Sequence, residues 1–432
     1  MTRLWHDLWG RSVGAAFVVL VLVATLAAAD AMAKTRITVF AWGNAQEMQN
    51  RRAQTEAFMK ANPDVEVQLE VSPPGPDWER KLDTMLAAGT AADVIMMSAD
   101  WHGNRGRRGI FTDLRPFVER DGLNLEAVLL PGIDNGYVWP NGFREGMPIT
   151  GASLVVAFNK DMFDDAGLAY PTRGWTWDDF LAYARKLTRG EGLQKIYGAA
   201  DHWGIATLAP HIFGGRIFND DHSQILADDP KVAKGIQFFL DMMKVDRVMP
   251  DAAASQGMPS DQRFYAGRAG MIFMATWDIP TFQQRIGKRF AWDIVPMPAD
   301  PATARPVTLI WTTGYAVNAK AKDKDAAWRY VKFMSTDPRA SEIAAQIAIP
   351  SVKDVAYSTF VKQSQPGWVP IDLTAFVDSF AFGILNPMGG YYAKINDEYN
   401  RAWEAIYLGK VDPVSGMQEF AKKAREILAT LQ

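Results

Sequence analysis

A regular alternation of strand and helix patterns constrains the fold of this chain most strongly. Residues 37–42 (ITVFAW) form an apolar run typical of a buried strand, and residues 44–61 follow with a helical pattern. Residues 65–71 alternate apolar and polar side chains one by one, which predicts a strand with one exposed face. A second helical pattern and a second apolar run, at residues 93–97, complete the unit. This order predicts parallel strands joined by right-handed crossovers, and therefore an α/β fold.

Two groups of aromatic and polar residues follow strands of this predicted sheet. Trp42 and Asn44 come at the end of the first strand, and Asp100 and Trp101 come after the third. Ligands of open α/β sheets bind beyond the carboxyl ends of the strands. We therefore expect both groups to lie at the same edge of the sheet, where they could line a binding site.

The rest of the chain continues the α/β pattern. Residues 154–159 and 271–274 are apolar runs typical of buried strands, and residues 308–317 are also strand-like. The second of these runs ends in Thr276, Trp277 and Asp278. Two amphipathic helices are predicted at the C-terminus.

Composition excludes several classes of protein. The chain has 432 residues, of which 48% are hydrophobic and 22% charged, with a formal net charge of −3. This composition is typical of a globular protein with two or three domain-sized units. No basic surplus is available to neutralise nucleic-acid phosphates, so a nucleic-acid partner is not expected. Because the chain lacks cysteine, it cannot use disulfides, thiol catalysis or a lipid-modified N-terminal cysteine.

The N-terminus has the pattern of an export signal. Arg3 and Arg11 precede an uncharged stretch over residues 12–29, and Ala31-Met32-Ala33 forms a small-residue cleavage motif. This order predicts a signal peptide over residues 1–33, cleaved after Ala33, and a periplasmic mature protein. The alternative is an uncleaved membrane anchor, since the uncharged stretch is close to the length that spans a bilayer.

Motifs of known catalytic and cofactor sites are missing from the sequence. It contains no nucleophile elbow, zinc-protease motif, Walker loop or dinucleotide fingerprint. The four histidines after the signal peptide include no pair at helical i, i+4 spacing. Neighbouring aspartates, such as Asp178-Asp179, diverge on a helix and make a poor acid–base pair. We therefore predict no catalytic residues, no metal and no cofactor.

Tryptophan is the unusual signal in this sequence. Of the fifteen tryptophans, two (Trp5 and Trp9) lie in the signal peptide, which leaves 15 − 2 = 13. Trp78, Trp328 and Trp403 fall on apolar helix faces and are predicted to pack in the core. Five others are predicted at or near strand ends, beside Gly, Asp, His or Thr: Trp42, Trp101, Trp203, Trp277 and Trp311. Aromatic faces beside carboxylates suit a sugar, whose C–H face packs on a ring while its hydroxyls donate to the acids.

Several motifs, in order and spacing, resemble the family 1 extracellular solute-binding proteins of ABC sugar importers. They cover nearly all of the mature chain: ADVI at 92–95, GIFTDL at 109–114, MPI at 147–149, VAFNKDMF at 156–163, TWDDF at 176–180, FGGRI at 213–217, FYAGRAGM at 264–271, and the segments 322–334 and 349–350. The resemblance implies a two-lobe α/β fold with hinge strands between the lobes and a ligand cleft at their interface. The implied division is lobe 1 at 34–150 and 311–365, and lobe 2 at 151–310 and 366–432.

The resemblance also implies a set of ligand-binding residues and a function. The set is Trp42, Asn44, Asp100, Trp101, Asp201, Trp203, Trp277, Asp278, Trp311 and Tyr391. Met97 and Ala152 depart from the residues of the maltose-binding members, which argues against maltose itself. The implied function is capture of a carbohydrate, in particular an oligosaccharide, by a monomer that delivers it to the permease subunits of an importer. A glycerol-phosphate or other polyol ligand, and a secreted glycoside hydrolase or lyase, remain open as alternatives.

Overall fold

The computed structural model describes residues 34–99, 109–139, 141–201, 204–364, 366–386 and 393–431. The predicted signal peptide and its cleavage site lie outside these residues. In the described part of the chain, no helix combines the length and the apolar character that crossing a membrane requires.

In the described ranges, ten strands form the sheet structure. They are β1 (Thr35–Trp42), β2 (Val65–Ser72), β3 (Val94–Ser98), β4 (Met147–Asn159), β5 (Tyr197–Ala200), β6 (Ala269–Ala275), β7 (Trp292–Val295), β8 (Thr308–Val317), β9 (Ile349–Pro350) and β10 (Gly383–Ile384). The main order is β2-β1-β3-β8-β4-β6-β5, while β10 pairs with β8 and both β7 and β9 pair with β4. As predicted, β1 is parallel to β2 and to β3. The pairs β3–β8, β8–β4 and β4–β6 are antiparallel.

Helices connect and cover these strands. They are α1 (Ala45–Ala61), α2 (Pro76–Ala88), α3 (Arg115–Arg120), α4 (Leu125–Val128), α5 (Lys160–Asp165), α6 (Trp177–Leu187), α7 (Ile205–Leu208), α8 (Pro230–Lys244), α9 (Ala252–Gly257), α10 (Ser260–Tyr265), α11 (Ile279–Ile286), α12 (Lys324–Thr336), α13 (Pro338–Ala344), α14 (Lys353–Ser358), α15 (Thr374–Asp378), α16 (Ala393–Tyr407) and α17 (Pro413–Leu431). Short 3₁₀ turns complete the described elements, including one at Thr276–Asp278 that follows β6.

Strand β4 is longer than its apolar run predicts, because it takes part in two pairings. Its first half pairs with β8, from Met147 to Ser153, and its second half pairs with β6, from Leu154 to Phe158. In the second half, Leu154, Val156 and Phe158 pack into one apolar cluster, and Val155 and Ala157 into another. Both faces are covered, so the sequence reads as a continuous apolar run rather than an alternating one.

The apolar core is divided between the two ends of this sheet structure. Side chains of β1, β3 and α12 pack together around Val39, Met96 and Trp328, which is fully buried. At the other end, β4, β6, α6 and α8 pack around Trp177 and Phe239. The burial of Trp78 and Trp328 confirms that these tryptophans are core residues. Trp403 is only half-buried and packs against the edge of the second cluster.

Candidate functional site

The carboxyl ends of the strands from both parts of the fold meet at the middle of β8. On one side, Ser98 at the end of β3 pairs with Thr313, and the Ala99 amide donates to the Thr312 carbonyl at 3.0 Å. On the other side, the last residue of β6, Ala275, pairs with Leu154 of β4. Strand β4 is itself joined to β8 through the pair Ala152–Trp311. Only a few residues of β8 therefore separate the two edges, and Trp311 lies between them.

This arrangement corrects one expectation. Trp311 is predicted near a strand end, but it lies inside β8, as the fourth residue of the strand. The pattern of β8 alone does not show that the ends of β3 and β6 meet there, because strand pairing is a tertiary property.

Trp277 and Trp311 form an aromatic corner at this meeting point. Their ring centroids are 4.9 Å apart, and the ring planes make an angle of 69°. Trp277 has 46% of its surface exposed, which is unusual for a tryptophan, whereas Trp311 is half-buried. The turn that holds Trp277 is fixed to β4, because the Ser153 amide donates a hydrogen bond to the Thr276 hydroxyl at 3.2 Å. The Asp278 carboxylate also accepts from the Ala275 amide at 2.9 Å, so this predicted ligand residue caps its own turn.

Trp42 belongs to a second aromatic group, at the end of β1. Its ring meets that of Trp78 edge to face at 4.8 Å, and Trp78 stacks on Phe40 at 5.1 Å. The Trp42 carbonyl accepts a hydrogen bond from Nε of the buried Arg51 at 3.3 Å. Trp42 is half-buried and is held by α1, α2 and its own strand, so it can present a fixed aromatic edge.

Asn44 is the N-cap of α1. Its Oδ1 accepts hydrogen bonds from the amides of Gln46 and Glu47, both at 3.0 Å, and the Glu47 carboxylate accepts from the Asn44 amide at 2.8 Å. These bonds make a capping box, which satisfies backbone donors that a helix start otherwise leaves without partners. Asn44 thus has a structural role in addition to its predicted role in ligand binding.

We expect Asn44→Ala to lower the free energy of unfolding by about 1 kcal/mol, because the cap is lost. Asn44→Asp keeps the cap acceptor, removes the side-chain amide N–H and adds a negative charge, which a helix N-terminus accommodates. Urea denaturation should therefore show wild-type stability for Asn44→Asp, and titration calorimetry should show weaker ligand binding if that N–H donates to the ligand. An Asn44→Ala variant as stable as the wild type would contradict the capping role.

Asp201 follows β5 at the same edge as Trp277, because β5 and β6 are parallel. The end of α16 brings Tyr407 close to it. Burial raises the pKa of the Tyr407 hydroxyl, and the Asp201 and Asp251 carboxylates raise it further. Tyr407 also stacks with Trp403 at 6.4 Å. Tyr407 was not predicted as a site residue: the helical pattern of α16 was visible in the sequence, but its packing against the β5 edge was not.

Four predicted site residues, Asp100, Trp101, Trp203 and Tyr391, lie outside the described residues, so their roles stay predictions. Within the described ranges, no group of three or more histidine, aspartate and glutamate side chains is arranged to hold a metal ion.

The sequence from Trp42 to Ala340 matches the family model of the bacterial extracellular solute-binding proteins. The match spans more than half of the chain. The chain belongs to this family. Members of the family are solute-binding proteins that work outside the cytoplasm. Export of this solute-binding protein follows from that membership.

Individual relatives of this solute-binding protein are distant but cover most of it. A binding protein of Brucella abortus (strain 2308) is 25% identical over 385 residues, which is 86% of this chain and 88% of the relative. The maltotriose-binding protein of Pyrococcus abyssi is 25% identical over 322 residues, 72% of this chain and 64% of the relative. A sugar transporter structure from Rhizobium etli, in an open conformation, has a TM-score of 0.75 and 25% identity, and the alignment covers 90% of this chain and 99% of that one. These likenesses confirm the two-lobe α/β fold.

Proposed function

We propose that this solute-binding protein captures a carbohydrate, in particular an oligosaccharide, in the cleft at the middle of β8 and delivers it to an ABC import permease. The observation that supports this most directly is the aromatic corner of Trp277 and Trp311, in which nearly half of Trp277 is exposed. Relatives named for maltotriose and for sugar transport are consistent with a carbohydrate ligand.

The chemistry of the surrounding groups fits a neutral sugar. An exposed indole face can pack against the C–H face of a pyranose, while ionised carboxylates accept hydrogen bonds from hydroxyls. Asp201 lies at the same edge as Trp277, and Tyr407 adds a hydroxyl near it. A cleft that encloses most of the ligand between apolar walls and a few polar groups is typical of small-molecule sites.

The alternatives fit this geometry less well. A glycerol-phosphate ligand needs converging cationic groups, whereas Tyr407 lies near the carboxylates of Asp201 and Asp251, and the carboxylate of Asp278 caps the turn that holds Trp277. A glycoside hydrolase needs a pair of carboxyl groups on either side of a glycosidic bond. Asp251 and Asp278 instead accept backbone amide hydrogen bonds that fix local turns. We infer that the protein binds without covalent chemistry.

We further propose that the mature protein begins at Lys34, after cleavage at Ala33, and acts as a periplasmic monomer. Lobe 1 would comprise residues 34–150 and 311–365, and lobe 2 would comprise residues 151–310 and 366–432. The last boundary between the lobes stays at residue 365, as the sequence predicts.

Thermal-shift screening of residues 34–432 against a panel of sugars, polyols, glycerol phosphate and amino acids would test the proposal. Binding stabilises the folded state in proportion to the logarithm of ligand excess over Kd, so a cognate oligosaccharide raises Tm. Chromatography of the incubated mixture then checks for cleavage. A rise in Tm with glycerol phosphate alone, or release of shorter sugars, would overturn the proposal.

A further inference from the structure

A buried acid, Glu145, lies in a short hairpin beside the end of β3. The Glu145 amide donates to the Tyr137 carbonyl at 3.0 Å, and the Trp139 amide donates to the Phe143 carbonyl at 2.9 Å. These bonds, with the bridge Val138–Arg144, define the Tyr137–Glu145 hairpin, of which Pro140 lies outside the described residues. Glu145 has only 2% of its surface exposed.

The carboxyl group of Glu145 has an incomplete set of partners. The Trp139 indole donates a hydrogen bond to it, but its Oε2 is buried and has no hydrogen-bond partner among the described residues. An ionised carboxylate with so few donors in an apolar setting is strongly disfavoured, whereas a neutral carboxyl is tolerated. Burial accordingly raises the pKa of Glu145 to about 7, and the Trp139 hydrogen bond opposes this rise only in part.

The opposite face of the hairpin is held by ion pairs. Arg144 donates to both carboxylate oxygens of Asp134, each at 2.7 Å, and its amide donates to Asp113 at 3.1 Å. Successive residues of a strand point to opposite faces, so these charges belong to the face that does not contain Glu145. The titratable and charged groups of the elements packed here, among the described residues, are Tyr137 of the hairpin itself, Arg144 with Asp134, Asp113 with Arg115, and Tyr315 of β8.

The two residues that flank the hairpin pack on the end of β3. A Cβ added at Gly136 would overlap the Cβ of Ala99, the residue that follows β3, and a Cβ added at Gly146 would overlap the sulfur of Met97. A Cβ at Gly314 would come within 2.8 Å of the Tyr137 hydroxyl, so that ring fills the space against β8. Any movement of the hairpin therefore changes the support of Ala99, which directly precedes the predicted ligand residue Asp100 in the sequence.

We propose that Glu145 is a positioning residue of the binding site: its neutral carboxyl seats the hairpin against the end of β3, and its ionisation releases the hairpin. The seated form is the more stable when the acid is protonated. Because the folded pKa lies above the ordinary value of 4.5, this stabilisation is complete below 4.5 and is lost as the pH rises through about 7. The first-lobe side of the site should therefore loosen in mildly alkaline surroundings.

Hydrogen exchange of the ligand-free protein tests this inference. Between pH 5.5 and 8, after correction for the chemical exchange rate, the opening equilibrium of residues 134–147 and 92–99 should rise on the order of tenfold or more in the wild type. In Glu145→Gln, which is neutral at every pH and nearly isosteric, the rise should be absent. Asp134→Asn is the matched control, because it weakens the other face of the hairpin and should raise opening equally at all pH values.

The same samples give a second, direct readout. Infrared difference spectra should show a protonated-carboxyl C=O band that disappears with a midpoint near pH 7 and is missing from Glu145→Gln. If that variant does not fold, Glu145→Met replaces it. The inference would be overturned if the opening equilibrium of the neutral variant still rose with pH, or if that of the wild type did not rise. The role of Glu145 rests on the proposed function only for the location of the site. Failure to find a sugar ligand would therefore not contradict this role.

Discussion

Replacing Trp277 by alanine is expected to weaken binding of the cognate carbohydrate by about 30-fold or more, equivalent to about 2 kcal/mol. The exposed ring forms one side of the aromatic corner with Trp311, and its loss removes the largest apolar surface offered to a sugar face. Titration calorimetry with the sugar identified by thermal-shift screening would measure the change. The free energy of unfolding should fall by less than for a fully buried tryptophan, because Trp277 is already 46% exposed.

Two variants make this result specific. Trp277→Phe keeps an aromatic face of smaller area and should retain most of the affinity. Leu408→Ala removes an apolar side chain of similar exposure, 51%, at the end of α16, and should leave binding unchanged. Equal affinity of the wild type and Trp277→Ala would show that the ligand is held elsewhere, and the carbohydrate proposal would lose its main support.

Replacing Trp177 by alanine should lower the free energy of unfolding by about 3–5 kcal/mol. This ring is 1% exposed and meets Phe180 and Phe239 edge to face, each at 5.4 Å. Truncation removes these contacts and leaves a cavity that the surrounding helices and strands cannot fill. Urea denaturation followed by circular dichroism would measure the loss. Trp177→Phe, which leaves a smaller cavity, should lose less, and an unchanged denaturation midpoint for Trp177→Ala would contradict the packing described here.

Trp177 and Trp277 illustrate opposite uses of the same residue type. The capping box of Thr176 and Asp179 places Trp177 at the start of α6, where the helix turns its inner face to the core. Trp277 follows a strand and lies on a 3₁₀ turn whose bonds hold its backbone while its ring remains exposed. Sequence patterns separate these two cases in part. A tryptophan on the apolar stripe of a helix is predicted to pack in the core, whereas one at a strand end is predicted to lie at the edge of the sheet where ligands bind.

Local features of this protein were determined by the sequence itself. The apolar run of β1, the strict alternation of β2 and the box formed by Thr176 and Asp179 each specify a structure through contacts within a few residues. The parallel pairing of β1 with β2 and β3 followed from the order of the elements, because a strand, a crossover helix and a strand have one favoured handedness. The signal-peptide pattern is equally local.

The composition of the site was decided by the tertiary structure. Trp277 and Trp311 meet because β4 pairs with β6 through one half and with β8 through the other. Tyr407 approaches Asp201 although some two hundred residues separate them, and Glu145 is a buried acid although its local sequence does not mark it as one. Such contacts depend on strand register and on packing between distant segments, which a local pattern of side chains does not encode. The sequence therefore predicted candidate site residues, and the pairing of β4 with β6 and β8 decided that Trp277 and Trp311 lie together.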